Sequence, residues 1–302
     1  MAKVKFDVYE EVTAQIVAAL EKGVKPWECP WEKDAAGMPL RSTGEAYRGI
    51  NSLLLSLKAW EKGYKSATWM TFNQAKNFGG KVKKGEKSAL VVKYGTFEKE
   101  AEGAADDQTI TCGYLKSYRV FNAEQIEGID ELFPVREAAK PLDTRPIEHL
   151  SHMSANMIEA LGVEYGEGGS RAFYSPSLDM VQMPEISSFH DAERFYATLF
   201  HELIHATGHA DRCDRTTEKK GAKFGNAAYA KEELCAEIGS AMLGMQVGFK
   251  PGHIEDSAAY VESWLQVLKS DKRAIIRASA AAQKAADYLM AAAQARPQEV
   301  AA

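Results

Sequence analysis

The chain has 302 residues, 45% of them apolar, and a formal net charge of −5. That length and apolar content fit two domains with ordinary cores and exclude wholesale disorder. No apolar run approaches the roughly 18 residues of a membrane span, and the N-terminus lacks an apolar block with a small-residue cleavage site, so neither a span nor a secretory leader is expected. The four cysteines (Cys29, Cys112, Cys213, Cys235) are scattered with no CxxC pair, which predicts reduced thiols and a cytoplasmic protein. Charge is unevenly spread. From Met38 to Phe97, nine Lys and two Arg face three Glu, a net of +8, which leaves −13 on the remainder.

In chain order, "DVYEEVTAQIVAALEKG" reads as an amphipathic helix with Val8, Val12, Ile16, Ala19 and Leu20 on one stripe. "VKPWECPW" follows, too rich in proline for a regular helix or central strand. A second helix spans Ile50–Gly63. A short third runs over Thr71–Gly80, with Thr71 as cap and glycine as stop. "KVKKGEKSALVVKYGTFEKE" is a basic turn feeding a β-branched strand, and "TITCGYLKSYRVFNAEQI" holds another strand ending near Phe121. Together they predict a long hairpin with "EKEAEGAADDQ" at its tip. Three prolines in Glu131–Pro146 place a boundary there. The expected fold class is α+β: an α+β domain over 1–134, a linker over 135–146 and a mostly helical domain over 147–302. In the latter, "RAFYSPSLDMVQMP" predicts a strand or hairpin. "SSFHDAERFYATLFHELIHATG" predicts a long helix starting at its serines and ending at Gly208. "AYAKEELCAEIGSAMLGMQVG" predicts a further helix, and a helical tail runs from Ala258 to about Ala293.

The chemistry concentrates in "HELIHATGHADR". His201 and His205 are one helical turn apart on one face, so both imidazoles can meet one ion, and Glu202 beside them can reach a water on it. Such a site needs a third protein ligand and one open position. Four readings compete. His209 lies another turn along, about 6 Å farther by helical rise and past the helix stop at Gly208. Asp211 completes an HExxHxxGxxD pattern. Cys213 is a soft donor. Glu233 shares a helix face with Glu237, so one can bind metal while the other accepts a hydrogen bond from a ligand histidine. This last reading alone uses the glutamate pair, and it makes Glu233 the ligand, Glu237 its supporting partner and Glu232 a solvent-facing residue. One divalent ion is expected, Zn²⁺ first among those a His₂Glu set accepts.

In the basic half, aromatic, amide and cationic side chains alternate, the combination that holds single strands by stacking and phosphate contact. The candidate platforms are Trp27, Trp31, Tyr47, Trp69, Phe72 and Tyr94. The candidate phosphate contacts are Arg48, Lys76, Lys81, Lys83, Lys84, Lys87 and Lys93. Tryptophans are also common in cores, which is the competing reading. No zinc-finger spacing or helix-turn-helix points to duplex reading.

The chain resembles the ArdC-type antirestriction proteins of conjugative plasmids. "DVYEEVTAQIVAALEKGVKPWECPW", "YRGINSLLL", "GYKSATWMTFNQAKNFGGKVKKGEK" and "RVFNAEQIEG" carry the resemblance in the first half. "YSPSLDMVQMP", "HELIHATGHADR", "FGNAAYAKEELCAEIGSAML" and "AAYVESWLQVLKSDKRAI" carry it in the second. It implies a single-stranded-DNA-binding N-terminal domain, a zincin-like metallopeptidase domain, and protection of incoming plasmid DNA from host restriction. By position it also implies His201, His205 and Glu233 as metal ligands and Glu202 as base. Ala206 stands where relatives often carry a bulky aromatic. Two function classes follow. One is an active peptidase brought to a host protein, such as a restriction component, by DNA binding. The other is a DNA-coating protein whose metal site is structural or vestigial.

Overall fold

A computed structural model of the chain describes residues 6–27, 37–100, 109–134, 145–215, 227–248 and 258–294. Helix α1 (Val8–Leu20) is capped by the Asp7 carboxylate, which accepts from the N–H groups of Tyr9 and Glu10, and it buries Val12, Ile16 and Leu20 as its stripe requires. Helix α2 (Ile50–Lys62) stops at Gly63, whose φ of 68° few other residues tolerate. Helix α3 (Phe72–Asn77) opens with a reciprocal capping box between Thr71 and Gln74.

Strands β4 (Ala89–Glu100) and β5 (Thr109–Asn122) form the expected hairpin, in antiparallel register from Ala89↔Val120 to Glu100↔Thr109. It joins a four-stranded sheet of order β1-β2-β5-β4 through β1 (Leu40–Arg41) and β2 (Thr68–Met70). A small ladder pairs β3 (Lys81–Val82) with β6 (Ile126–Glu127). These four strands have two or three residues each, too few for a sequence period to register.

In the second half, α4 spans Arg145–Leu161, with Pro146 in its first turn, where a missing N–H costs nothing. Arg145 and Pro146 therefore belong to this helix and not to the expected linker, whose other residues lie outside the described ones. Strands β7 (Glu164–Glu167), β8 (Phe173–Ser175) and β9 (Met180–Met183) form a sheet of order β7-β9-β8, with β7–β9 parallel and β8–β9 antiparallel. Helix α5 (Ala192–Thr207) is capped by Asp191 rather than by the serines upstream, which sit in a separate 3₁₀ turn. Helices α6 (Ala227–Val247), α7 (Ala258–Ser270) and α8 (Ala274–Gln294) complete the fold. The tail is thus two helices, broken where the Asp271 carboxylate accepts from the N–H of Arg273 at 2.9 Å. The architecture is α+β.

The two halves share one core. Its largest cluster combines Val12, Ile16, Trp27, Leu53 and Val92 with Met157, Phe200, Leu243, Trp264 and Leu289. Polar contacts cross the same seam: Thr13 Oγ1 donates to the Lys272 carbonyl at 2.8 Å, and the Gly49 N–H donates to Gln283 Oε1 at 3.0 Å. Ion pairs Asp7–Lys272, Arg48–Asp287 and Glu21–Lys269 lie around it. Among the described residues, no helix is long and apolar enough to cross a membrane.

Candidate metal centre and basic surface

Helix α5 buries Phe195, Leu199, Phe200, Leu203 and Ile204, and this apolar stripe carries His201 and Glu202 into the interior with it. Helix α6 crosses α5 closely at Gly239. A Cβ there would stand 2.9 Å from Ile204 Cδ1 and 3.1 Å from its Cγ1 and Cγ2. Ser240 Oγ donates to the Ala197 carbonyl at 3.1 Å and fixes the same crossing. Two turns earlier on α6, Glu233 reaches the histidines. His201 Nε2 and His205 Nε2 are 3.1 Å apart, and each lies 3.5 Å from one Glu233 carboxylate oxygen.

These separations fit an ion. A tetrahedral centre with bonds of about 2.0–2.1 Å needs donor atoms about 3.3 Å apart. Among the described residues, His201, His205 and Glu233 form the one group of three or more such donors within 4.8 Å. His209, Asp211 and Cys213 stand outside it. His209 Nδ1 instead accepts from the Asp211 N–H at 3.3 Å, and Cys213 is buried with its N–H on the Thr207 carbonyl at 2.8 Å.

The electrostatics also favour a cation. Burial opposes charge on His205, yet the carboxylates of Glu232 and Glu233 outweigh it and lift its pKa to about 10. Burial opposes charge on His201 too, but Glu233 beside it, with Glu202 and Glu237 beyond, holds its pKa above the usual value. Despite its own burial, Glu233 is kept well below the normal carboxylate range by the two imidazoles. The cage therefore stabilises positive charge where the two Nε2 atoms meet.

The expectation of a solvent-facing Glu232 is corrected. The residue behind His205 is Glu232, while the charge of Glu237 acts on His201. Glu232 is buried and not solvent-facing, with Oε1 3.2 Å from His205 Nδ1. Glu237 shares the face of Glu233 as its spacing requires, but His205 projects between Glu232 and Glu233, with Nδ1 toward the first and Nε2 toward the second. Arg215 holds Glu232 in turn, donating from Nε to Oε2 at 3.2 Å and from Nη2 to Oε1 at 3.1 Å. The same guanidinium caps α5, reaching Thr207 Oγ1 at 2.8 Å and the Ile204 carbonyl at 2.5 Å.

Glu202 is buried, and its Oε2 accepts from the backbone N–H of Tyr174 on edge strand β8 at 2.8 Å. That strand is itself anchored. Asp179, in the β8–β9 turn, accepts from Tyr174 Oη at 2.7 Å and takes a two-pronged contact from Arg212 at 2.9 and 2.5 Å. The Tyr229 hydroxyl lies against Glu233 and 3.3 Å from Tyr260 Oη. Burial above all, with these two neighbours, raises its pKa, so Tyr229 stays a neutral donor. Arg212, Arg215 and Asp179 are not among the candidates the sequence offers, and Glu232 is placed by it in solvent. The available signal was two arginines just past a helix C-terminus, where cations meet the last carbonyls.

The basic half sorts its candidates differently. Trp27 and Trp69 are each only 1% exposed and Tyr47 is buried. All three are core residues and not stacking platforms, because their rings fill the seam and the sheet face. Trp27 packs edge-on against Trp264 at 5.5 Å, and Tyr64 against Trp69 at 5.9 Å. Phe72 and Tyr94 are exposed, and Trp31 lies outside the described residues. Lys76, Lys81, Lys83, Lys84, Lys87 and Lys93 are exposed. Of these, Lys83 Nζ donates to the Glu124 carbonyl at 2.8 Å, and Arg48 is engaged by Asp287 across the seam.

Residues 152–281 match the family of zincin-like metallopeptidases, and residues 6–121 match the N-terminal domain of the anti-restriction factor ArdC. Fold and donor set together define a zincin-like domain behind an ArdC-type N-terminal half. The chain belongs to the ArdC antirestriction family. It is 44% identical to the antirestriction ArdC protein from the R388 plasmid. The metal-free structure of that protein superposes with a TM-score of 0.79, over 97% of this chain and 100% of that one. Its Mn(II)-bound structure gives 0.78, over 96% and 99%. An uncharacterized protein, y4eC of Sinorhizobium fredii, is 38% identical over 94% of this chain and 92% of its own length. DNA primase TraC of Escherichia coli is 36% identical over 96% of this chain, which spans 20% of that longer protein.

Proposed function

We propose that the chain is a cytoplasmic antirestriction protein that protects incoming conjugative plasmid DNA. In this reading the N-terminal half binds single-stranded DNA and the second half hydrolyses peptide bonds in a host protein, a restriction component being the expected target. The observation that carries the reading is the convergence of His201, His205 and Glu233 at donor separations suited to one ion, with Glu202 next to His201 on the same turn of α5.

His201, His205 and Glu233 would hold a divalent cation, Zn²⁺ by donor chemistry, and the Mn(II)-bound structure of the plasmid relative supports a divalent ion in this family. When bound, that ion supplies Lewis acidity to a peptide carbonyl and to water. The protein's own groups supply the rest. Glu202 takes the proton from the attacking water and hands it to the nitrogen of the breaking C–N bond. The Tyr174 N–H holds one carboxylate oxygen of Glu202 and leaves the other for that proton. Tyr229, neutral at physiological pH, offers an O–H to oxygen charge developing beside Glu233.

The test is Glu202→Ala in the full chain, scored by plasmid transfer into restricting and non-restricting recipients. Protection lost with metal and DNA binding intact supports the peptidase. Full protection by E202A overturns it in favour of a DNA-coating protein.

A further inference from the structure

The β4–β5 ribbon continues past the core. Residues 89–92 are buried, whereas Lys93, Tyr94 and Thr96 are exposed. Directly opposed residues of an antiparallel pair share a face, and neighbours along a strand alternate. The register Val91↔Tyr118, Lys93↔Lys116 and Gly95↔Tyr114 therefore gathers two tyrosines and two lysines on one face, while Tyr94↔Leu115 and Leu90↔Arg119 lie on the other. Lys93 and Tyr94, adjacent in sequence, cannot serve one ligand on one face.

The first face has the chemistry of a stacking surface. Tyr114 and Tyr118 are 44% and 38% exposed and about 13 Å apart along the strand. The Tyr114 ring occupies the space over Gly95, where a Cβ would come within 2.5 Å of its Cζ. Lys116 Nζ sits 5.6 Å from the Tyr118 ring centroid. Lys93 and Lys116 are directly opposed like charges, an arrangement that weakens a strand pair and that an anion relieves. No acidic residue occurs in 89–96 or 113–120.

We propose that the face formed by Lys93, Tyr114, Lys116 and Tyr118 is where single-stranded DNA stacks. The inference rests on the DNA-binding function proposed above and locates it. Aromatic faces with interleaved ammonium groups suit unpaired bases and their phosphates. An acidic peptide would use the lysines and leave the rings idle. A duplex would need side chains on this face that read base edges, such as Arg, Asn or Gln, and it has none.

The test is fluorescence anisotropy of the full chain with a 20-nucleotide oligo(dT). Tyr114→Leu with Tyr118→Leu keeps apolar cover on the ribbon but removes the phenol rings, and at least a tenfold loss of affinity is expected. Tyr94→Leu, on the opposite face, loses less than threefold. Lys93→Ala with Lys116→Ala flattens the slope of log K against log salt by about 1.4. Thermal melting shows that each variant is folded. If Y114L/Y118L binds as tightly as the parent chain, or no more weakly than Y94L, the ribbon face is not the platform and DNA binding itself stands. If the parent chain does not bind oligo(dT), the DNA-binding reading fails. Competition by a duplex or by poly-glutamate as effective as by oligo(dT) overturns the choice of ligand.

Discussion

His205 Nδ1 lies 3.2 Å from Glu232 Oε1, and Arg215 clamps Glu232 through both of its carboxylate oxygens. The ring nitrogen that faces Glu233 is thereby fixed as Nε2, and its basicity is raised through the ring. Glu232→Gln is expected to lower divalent-metal affinity by about 10–100-fold with all three donors intact. Glu232→Ala goes further, since it leaves the Arg215 guanidinium buried without its counter-charge, at about 3–5 kcal/mol. Chelator competition on E232Q and E237Q checks the assignment. A larger loss from E237Q would return the supporting role to Glu237.

The donor set makes a ranking. Glu233→Ala removes one of three converging donors and is expected to abolish stoichiometric metal. His209→Ala and Asp211→Ala leave all three in place. Elemental analysis of the three variants after equal dialysis decides it. Metal lost from H209A or D211A but kept by E233A would move the third ligand into the loop after α5.

Trp27 is a structural tryptophan. At 1% exposure and edge-on to Trp264, its truncation to Ala should cost about 3–5 kcal/mol. Because the core is common to both halves, that loss should lower the midpoint of the whole chain in urea rather than of an N-terminal transition alone. An unchanged midpoint together with weakened DNA binding would restore Trp27 as a platform.

What the sequence reveals depends on whether its signal is local. The i, i+4 spacing of His201 and His205, the glycine stop after Thr207 and the stripe of α1 are properties of one helix, and they read directly. Glu232 against Glu237 does not, because helix phase says which residues share a face but not which neighbour crosses it. Trp27 and Trp69 have the same letters whether they stack on a base or fill a core. Lys93 and Tyr94 look like one basic-aromatic cluster until the strand separates them, while Tyr114 and Tyr118 join Lys93 only through a register set by cross-strand pairing. The shared core is equally non-local. Val12 and Leu289 lie at opposite ends of the chain, and the proline-rich stretch between the halves reads as a boundary although they pack together.

Asp179 gives the site a pH dependence that can be separated from the ligands. Burial pushes its carboxyl upward, but hydrogen bonds from Arg212 and Tyr174 outweigh this and hold it below the ordinary value of 3.8. A group lowered in the folded state contributes stability that is fully present above the unfolded value. Between the two values only the unfolded chain binds the proton, so the contribution fades as pH falls through the folded pKa. Asp179→Asn removes the charge but suits the backbone, since asparagine accepts the φ of 48° found there as readily as aspartate. The melting temperature of D179N should therefore lie below that of the parent chain at pH 6–7, and the gap should narrow as pH drops below about 4. The same substitution loosens the β8–β9 turn that presents the Tyr174 N–H to Glu202, so the proposed peptidase activity is expected to fall at neutral pH with metal content unchanged. A gap in melting temperature that stays constant from pH 7 to pH 3 would show that the Asp179 charge contributes nothing to the anchor.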